Sequence, residues 1–161
     1  MVFDYADGLC RDVNFEGGDW VGVSRLLAWF QGAYPVVQGH DHEGADVVAL
    51  LSASAEELRV ALHGQGYLHY HGSQASGLIK DIQVFVGPEE DGSPFVEITF
   101  FPEYIDKQQY TTDGFVALVD HWRSLLRAVR FFVRYENASW ELGDTGAHSG
   151  VIFTSDDIGR R

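Results

Sequence analysis

The stretch GLIKDIQVFVGPEEDGSPFVEITFF, residues 77–101, decides the fold. Apolar and polar residues alternate in both of its halves, and the apolar sides are Ile82, Val84 and Val86, then Val96, Ile98 and Phe100. Such a period of two is typical of strands with one buried face. The connection between them is dense in Pro, Gly and acidic residues, as turns are. The stretch therefore predicts an antiparallel β-hairpin whose acidic loop projects from the sheet.

Three other segments have helical periodicity. Residues 19–32 follow Asp19, a good N-cap, and end near Gly32. In residues 54–64, Ser54 and Glu57 have the spacing of a capping box. Residues 112–127 form the strongest pattern, capped by Thr112 or Asp113. The apolar stripes of the first and third segments are Trp20, Val23, Leu27 and Phe30, and Phe115, Val119, Trp122 and Leu126.

The C-terminal third of the chain returns to strand-like patterns. In AVRFFVRYE, residues 128–136, Val129, Phe131, Val133 and Tyr135 face one way, which favours a strand, although the spacing also allows the helix to continue. SWELG and GVIFTS, residues 139–143 and 150–155, are typical of short final strands. The order of the elements predicts one α+β domain over residues 1–161. We expect an antiparallel sheet with about three helices packed mainly on one face.

Composition and charge narrow the function classes. The chain has 161 residues, of which 45% are hydrophobic and 14% aromatic, so it can bury a core. Its net charge is −13, spread over both halves, which repels nucleic acid and attracts basic partners. Cys10, the single cysteine, cannot form an internal disulfide, which suits a reducing compartment. The acidic start lacks the pattern of a secretory leader, and no apolar run reaches the ~18 residues of a membrane span. We therefore expect a cytoplasmic protein without a membrane partner.

Two His-x-His steps are the strongest hint of chemistry. They are His40 with His42 and His69 with His71. Residues i and i+2 of a strand point to the same side, so each pair could contribute to one Zn²⁺ site. The spacing matches no known zinc motif, and polar, half-exposed loops and strand edges rich in His are the more common explanation. A metal-dependent small enzyme or ligand-binding protein that uses these four histidines is the alternative function.

Other catalytic arrangements lack support. The chain contains no Gly-x-Ser-x-Gly elbow and no glycine-rich phosphate loop. Paired carboxylates could come from Glu89, Glu90, Glu97 and Glu103, but nothing in the sequence selects a pair. We therefore expect neither an enzyme nor a cofactor. A local stripe of basic residues could clamp an anion or pair with the abundant acids of the chain: Arg123, Arg127, Arg130 and Arg134.

The chain is small, acidic and aromatic-rich, and it lacks catalytic motifs. It also contains the stretches FFVRYENASWELG, residues 131–143, and SGVIFTSDD, residues 149–157. In this overall character it resembles the immunity proteins of bacterial polymorphic-toxin and contact-dependent inhibition systems. The resemblance implies a protein that binds a cognate, basic toxin domain and blocks its active site. An interaction module without a toxin partner is a further possibility.

If a partner binds this chain, acidic loops and exposed rings are the expected contacts. Fast association with a basic partner favours acidic side chains, and Tyr and Trp are enriched where binding energy concentrates. The predicted partner-binding residues are Glu89, Glu90, Asp91, Tyr104, Tyr110, Trp140, Glu141 and Asp144, with Asp156 and Asp157 as second choices.

Overall fold

The computed structural model describes residues 9–62, 66–136 and 150–160. Within these residues, seven antiparallel strands form one sheet in the order β2-β3-β4-β5-β1-β6-β7. The strands are β1 Arg11–Glu16, β2 Val36–Asp41, β3 Leu68–Ser73, β4 Asp81–Pro88, β5 Pro94–Phe100, β6 Arg130–Tyr135 and β7 Val151–Thr154. The helices are α1 Trp20–Ala33, α2 Ala55–Ala61 and α3 Thr112–Leu126. The predicted α+β class, with an antiparallel sheet and three helices, is confirmed.

The β4–β5 hairpin forms as the alternation predicts. Val84 lies opposite Ile98 and Val86 opposite Val96, and all four side chains are buried. They face the helices, so the core lies between one face of the sheet and α1 and α3. The alternate residues of the strands point the other way, to what we call the outer face of the sheet.

Strand β1 is a central strand of the sheet, between β5 and β6, and its sequence pattern did not predict it. Val13 lies opposite Ile98 of β5 and Val133 of β6 and is fully buried. Its neighbours Asp12 and Asn14 point to the outer face and are also buried. RDVNFE does alternate, with Val13 and Phe15 on the core side, but that side holds only these two apolar residues and begins with Arg11.

Helix α1 begins where Asp19 predicts, since its side chain accepts a hydrogen bond from Gly22 N at 2.7 Å. Gly22 is a poor helix former, yet its place is dictated by packing. A Cβ at this position would lie 2.1 Å from the carbonyl oxygen of Leu126, at the end of α3. The missing side chain therefore lets α1 and α3 approach closely.

The other two helices have specific caps. Ser54 and Glu57 form the predicted capping box at the start of α2, and the preceding residues Val48–Ser52 form a short 3-10 turn. The predicted caps of α3 are wrong by one residue. Thr111 is the N-cap, because its hydroxyl accepts from Gly114 N at 3.0 Å.

Residues Arg130–Tyr135 form strand β6, so the strand that the sequence favoured is present and the helix α3 does not continue. Phe131 and Val133 are buried in the core as predicted, but Val129 precedes the strand and is 71% exposed. Phe132 and Arg134, which point to the outer face, are buried as well. Among the described residues, no helix combines the length and the apolar character needed to cross a membrane.

Candidate partner-binding site

The loop of the β4–β5 hairpin, residues 89–93, is folded by its own hydrogen bonds. Glu89 N donates to Ser93 O at 2.8 Å, and Gly92 N donates to Glu89 O at 3.0 Å. The Asp91 carboxylate accepts from the hydroxyl and the N–H of Ser93, and these bonds lower its pKa. Gly92 has a φ of +82°, a conformation that favours glycine. The loop thus has a defined shape, and the side chains of Glu89 and Glu90 remain exposed.

A groove of about 1070 Å³ lies between this loop, α2 and the start of α1. Trp20, the first residue of α1, ties the loop to the helix, because its Nε1 donates to Gly92 O at 2.9 Å. We call this feature the acidic groove, and its lining consists of Trp20, Glu56, Arg59, Val60, Leu62, Pro88, Glu89, Glu90, Asp91, Gly92 and Ser93.

The acidic groove has an excess of negative charge. Four carboxylates line it, against the single guanidinium of Arg59, which is paired with Glu56 at 3.1 Å. Both members of that pair are well exposed, so they contribute little to stability. Val60 adds an apolar side chain that is 66% exposed. The groove is therefore suited to a basic protein surface with some apolar area.

A second, smaller depression of about 360 Å³ lies on the outer face and shares Pro88 and Glu89 with the acidic groove. Three aromatic rings line it, and Glu97 contributes a half-buried carboxylate. We call it the aromatic cleft, and its lining is Gly66, Tyr67, Phe85, Val86, Gly87, Pro88, Glu89, Phe95 and Glu97. The hairpin loop therefore separates two clefts of different chemistry.

The register of the sheet places one row of side chains across the outer face. The residues that lie directly opposite one another on successive strands are His40, His69, Phe85, Glu97, Asn14, Phe132 and Thr154. His69 stacks on Phe85 with ring centroids 4.2 Å apart and planes only 4° from parallel. Asn14 Nδ2 donates to Glu97 Oε2 at 2.8 Å. Strand pairing, rather than nearness along the chain, builds this row.

Burial controls the charge of Glu97. Removal of the carboxyl from water raises its pKa, whereas the hydrogen bond from Asn14 lowers it. The neighbouring Asp12 raises it further, and Arg134 lowers it. The desolvation effect dominates, so the ionised form of Glu97 is held at a cost that a cation placed beside it would reduce.

Comparison with known proteins shows similarity in fold. One solved structure with the same fold is the 1.75 Å crystal structure of the toxic C-terminal tip of CdiA from Pseudomonas aeruginosa in complex with its immune protein. The superposition covers 91% of this chain and 94% of the matched chain, with a TM-score of 0.55 and 18% sequence identity. The fold of this chain is therefore similar to that of a chain in a complex from a contact-dependent inhibition system. By sequence, no protein family and no curated protein matches the chain.

Three of the four histidines of the predicted metal site, His40, His69 and His71, line one depression of about 250 Å³, but their ring nitrogens are bonded to other groups. His40 Nε2 and His69 Nδ1 lie 3.0 Å apart, so one donates a hydrogen bond to the other. The second nitrogen of His69 is bonded to Gln83, and His71 is bonded to Asp81. His42 lies apart from them, with its ring 6.3 Å from that of Tyr67. In the described part of the chain, no group of three or more His, Cys, Asp or Glu side chains is placed to hold a metal ion.

A buried polar cluster lies on the outer face of β1, and the sequence analysis did not identify it. Asp12 accepts a hydrogen bond from Thr99 Oγ1 at 2.8 Å, and Cys10 Sγ lies 3.5 Å from the same carboxylate. Burial raises the pKa of Asp12 and of the Cys10 thiol, which fits an unreactive cysteine. The polar residues of RDVN could have indicated this cluster, because alternate side chains of a strand point to opposite faces of the sheet.

The predicted partner-binding residues occupy separate regions. Glu89, Glu90 and Asp91 lie together in the hairpin loop, whereas Tyr104 and Tyr110 follow the other end of β5. Tyr104 is 40% exposed, and Tyr110 packs partly against the core. Trp140, Glu141 and Asp144 lie outside the described residues. A contact surface that includes both ends of β5 would have to span its whole length.

The second-choice acids and the basic stripe largely pair with each other or with nearby acids. Asp156 pairs with Arg130 at 2.7 Å, and Asp157 accepts a hydrogen bond from Thr154 N at 2.9 Å. The ion pairs of the other basic residues are Arg123 with Asp120 and Arg127 with Asp19. Arg134 is buried, 3% exposed, near Asp12 and Glu97. Internal pairing, the second interpretation of the stripe, thus describes three of its four members.

The aromatic cleft was missed although its residues were visible. Phe85 and Phe95 alternate with core residues and therefore point away from the core, which is unusual for rings of this size. An aromatic residue on the polar side of a strand was the signal. Tyr67 comes from a distant part of the chain, and only the pairing of β3 with β4 brings it to the same place.

Proposed function

We propose that this chain is an immunity protein that binds a cognate toxin domain and neutralises it by protein–protein interaction, without catalysis of its own. The observation that carries this proposal is the acidic groove, a preformed surface with four carboxylates around one paired guanidinium. The fold similarity to a chain from a toxin–immune protein complex supports it. The cytoplasmic location predicted from the sequence belongs to the same proposal.

The charge of the molecule favours the inhibitor's role over the toxin's. The net charge of −13 raises the encounter rate with a basic partner and opposes contact with nucleic acid. Toxin domains that act on nucleic acid need basic clefts, and an acidic surface can occupy such a cleft in place of phosphate. The matched crystal structure contains both a toxin tip and an immune protein, so the two roles need separate tests.

Neutralisation in a bacterial host tests the proposal directly. The cognate toxin domain, sought in the gene next to that of this chain, would be expressed with and without this chain, and growth would be followed. We expect this chain alone to be harmless, to restore growth in the presence of the toxin, and to co-elute with the purified toxin as a complex. Growth arrest by this chain alone would assign it to the toxin side and overturn the proposal.

Charge reversal in the hairpin loop tests the acidic groove. Glu89→Lys combined with Glu90→Lys removes two exposed carboxylates and leaves Asp91, whose bonds to Ser93 fold the loop. We expect association with the toxin to slow by about tenfold or more at low salt, and the difference to shrink at high salt. Association rates would be measured by stopped flow or by biosensor.

The matched control is Glu103→Lys combined with Asp113→Lys, two exposed acids beyond the other end of β5. These changes alter the net charge equally. If both double variants slow association to the same degree, only the overall charge matters, and the acidic groove is not the contact surface.

The alternative function, a metal-dependent enzyme or ligand-binding protein, has one direct test. Protein purified without a histidine tag would be analysed for zinc by mass spectrometry. Stoichiometric zinc that is lost on His69→Ala would favour the alternative. The hydrogen bond between His40 and His69 instead favours a metal-free pair.

A further inference from the structure

The aromatic cleft joins two features that rarely occur together on a protein surface. One is a set of three rings, from Tyr67, Phe85 and Phe95, and the other is the half-buried carboxylate of Glu97. Apolar rings alone would suit an apolar ligand, and exposed carboxylates alone would suit any cation. We propose that the aromatic cleft accepts an arginine side chain of the bound partner, stacked on Phe85 and paired with Glu97. This inference rests on the proposed function, because it assumes a protein partner.

His69, on β3, lies flat against one face of the Phe85 ring. Strand β5 is on the opposite side of β4, and Glu97 lies directly across from Phe85 there. Side chains directly opposite on antiparallel strands have Cβ atoms about 5 Å apart, so the second face of the ring is directed towards Glu97. A planar cation on that face would contact the ring and the carboxylate together.

The cation that acts on Glu97 within the protein is Arg134, which is buried outside the lining of the cleft. The lining contains no Lys, Arg or His. One carboxylate oxygen, Oε2, accepts from Asn14, which fixes the group at the base of the cleft. A second carboxylate, Glu89, stands at the rim that the cleft shares with the acidic groove. An arriving cation would therefore meet an exposed acid first and a fixed, partly desolvated acid afterwards.

Arginine fits this arrangement better than lysine. Its guanidinium is planar, stacks on aromatic faces and binds carboxylates through two N–H groups. A lysine ammonium is a strongly hydrated point charge and would lose more hydration beside the rings. The volume of about 360 Å³ accommodates one long side chain and is at the small end of the range for ligand pockets.

The inference can be tested without the toxin. The probe is N-acetyl-arginine methylamide, titrated at millimolar concentration into the isotope-labelled protein and followed by NMR. The control probe is the citrulline analogue, which has nearly the same shape and no charge. We expect shifts in the signals of Tyr67, Phe85, Phe95 and the Glu97 carboxyl with the arginine analogue, and at least tenfold weaker binding of the citrulline analogue. Equal binding of the two probes, or shifts elsewhere on the surface, would overturn the inference.

Variants separate the parts of the site. Glu97→Gln keeps an oxygen for Asn14 and removes the charge, and we expect the affinity for the arginine analogue to fall about tenfold. Phe85→Leu keeps an apolar side chain without a ring face, and we expect a fall of about threefold. Glu103→Gln, at the other end of β5, is the matched control and should leave binding unchanged. An unchanged affinity in Glu97→Gln would refute the proposed contact.

The lysine analogue completes the test. We expect it to bind more weakly than the arginine analogue, because it cannot stack as a plane. Equal affinity would show that the cleft selects charge alone and would overturn its assignment to arginine. The same variants in the neutralisation assay distinguish the two proposals. If Glu97→Gln neutralises the toxin as well as the wild type does, the immunity role stands and the arginine contact falls.

Discussion

The two sides of the β4–β5 hairpin present negative charge in different ways. On the side of α2, the carboxylates of the acidic groove are exposed, and one of them is already paired with Arg59. On the outer face, Glu97 is half-buried beside three rings and held by Asn14. Exposed charges attract a partner over a distance, but water and salt screen them. A partly desolvated carboxylate acts only at contact, where the same charge is much stronger.

This difference predicts that the two clefts affect different rate constants of partner binding. Rim charges chiefly change association rates, whereas truncation of a buried charge pair chiefly changes dissociation rates. We therefore expect the acidic groove to control how fast the toxin arrives and the aromatic cleft to control how long it stays. The predictions below alter one side of the hairpin at a time.

The largest expected effect comes from Gly22→Ala, which alters the packing of α1, the helix whose first residue lines the acidic groove. The new Cβ would lie 2.1 Å from Leu126 O, so α1 and α3 must move apart. We expect the free energy of unfolding to fall by about 2–4 kcal/mol, measured by chemical denaturation. Gly32→Ala is the matched control in the same helix, because a Cβ there meets nothing within 4 Å.

The control should be neutral or stabilising by up to about 1 kcal/mol, the usual advantage of Ala over Gly in a helix. Equal losses in both variants would contradict the close approach of α1 and α3. Since strand pairing, and not α1, forms the aromatic cleft, the arginine analogue should still bind any folded fraction of Gly22→Ala.

A smaller effect is expected from Trp20→Phe, which removes the indole N–H that donates to Gly92 O. We expect a loss of about 1–2 kcal/mol from the lost hydrogen bond and contact area, and faster amide exchange within the hairpin loop. Trp29→Phe is the control, because Trp29 packs against the rings of Tyr34, His121 and Trp122. Only Trp20→Phe should slow association with the toxin. Slower association in both variants would show that the loss is one of general stability.

The smallest expected effect is a pH dependence of the aromatic cleft. Burial raises the pKa of Glu97 above its ordinary value of 4.5, and a bound cation needs the ionised form. Affinity for the arginine analogue should therefore rise with pH through that raised pKa and level off above it. The charged groups that act on Glu97 are Asp12 from β1, which raises its pKa, and Arg134 from β6, which lowers it. Glu89 lies at the rim of the cleft, and His69 stacks on Phe85 with His40 and His71 nearby.

Protonation of His69 would weaken binding of the arginine analogue at low pH, as protonation of Glu97 does. Burial, the main cause, lowers the pKa of His69, so it gains charge only at low pH, where that charge would repel the guanidinium. The measurement is the NMR titration repeated between pH 4 and pH 8. Glu97→Gln should flatten most of the pH dependence, and a variant with the full dependence would assign it to His69 instead.

Local patterns were enough to predict much of the fold. The hairpin, α1, α2 and α3 each depend on contacts between residues close in sequence, such as the capping box of Ser54 and Glu57. Strand β1 failed this test because Arg11, Asp12 and Asn14 are polar, and their burial depends on partners 80 or more residues away. Gly22 made the helical pattern of α1 weaker in the sequence, and only its close approach to Leu126 in the structure explains why glycine is needed there.

Some residues of the candidate site could be predicted from local patterns in the sequence, and others could not. Glu89, Glu90 and Asp91 were predictable, because a short acidic loop between two strands must project from the sheet. The aromatic cleft was not, because the register between β4 and β5 places Phe85 opposite Glu97, and only the pairing of β3 with β4 adds Tyr67.

By itself, the sequence determined the helices, the hairpin and the acidic character of the molecule, since these follow from short-range periodicity, capping and composition. Only the tertiary structure decided that β1 is central, that His40 and His69 pair with each other, and that Glu97 lies opposite Phe85. The physical reason is register. A shift of one residue between strands moves every side chain to the other face, and no local pattern specifies the partner that sets it.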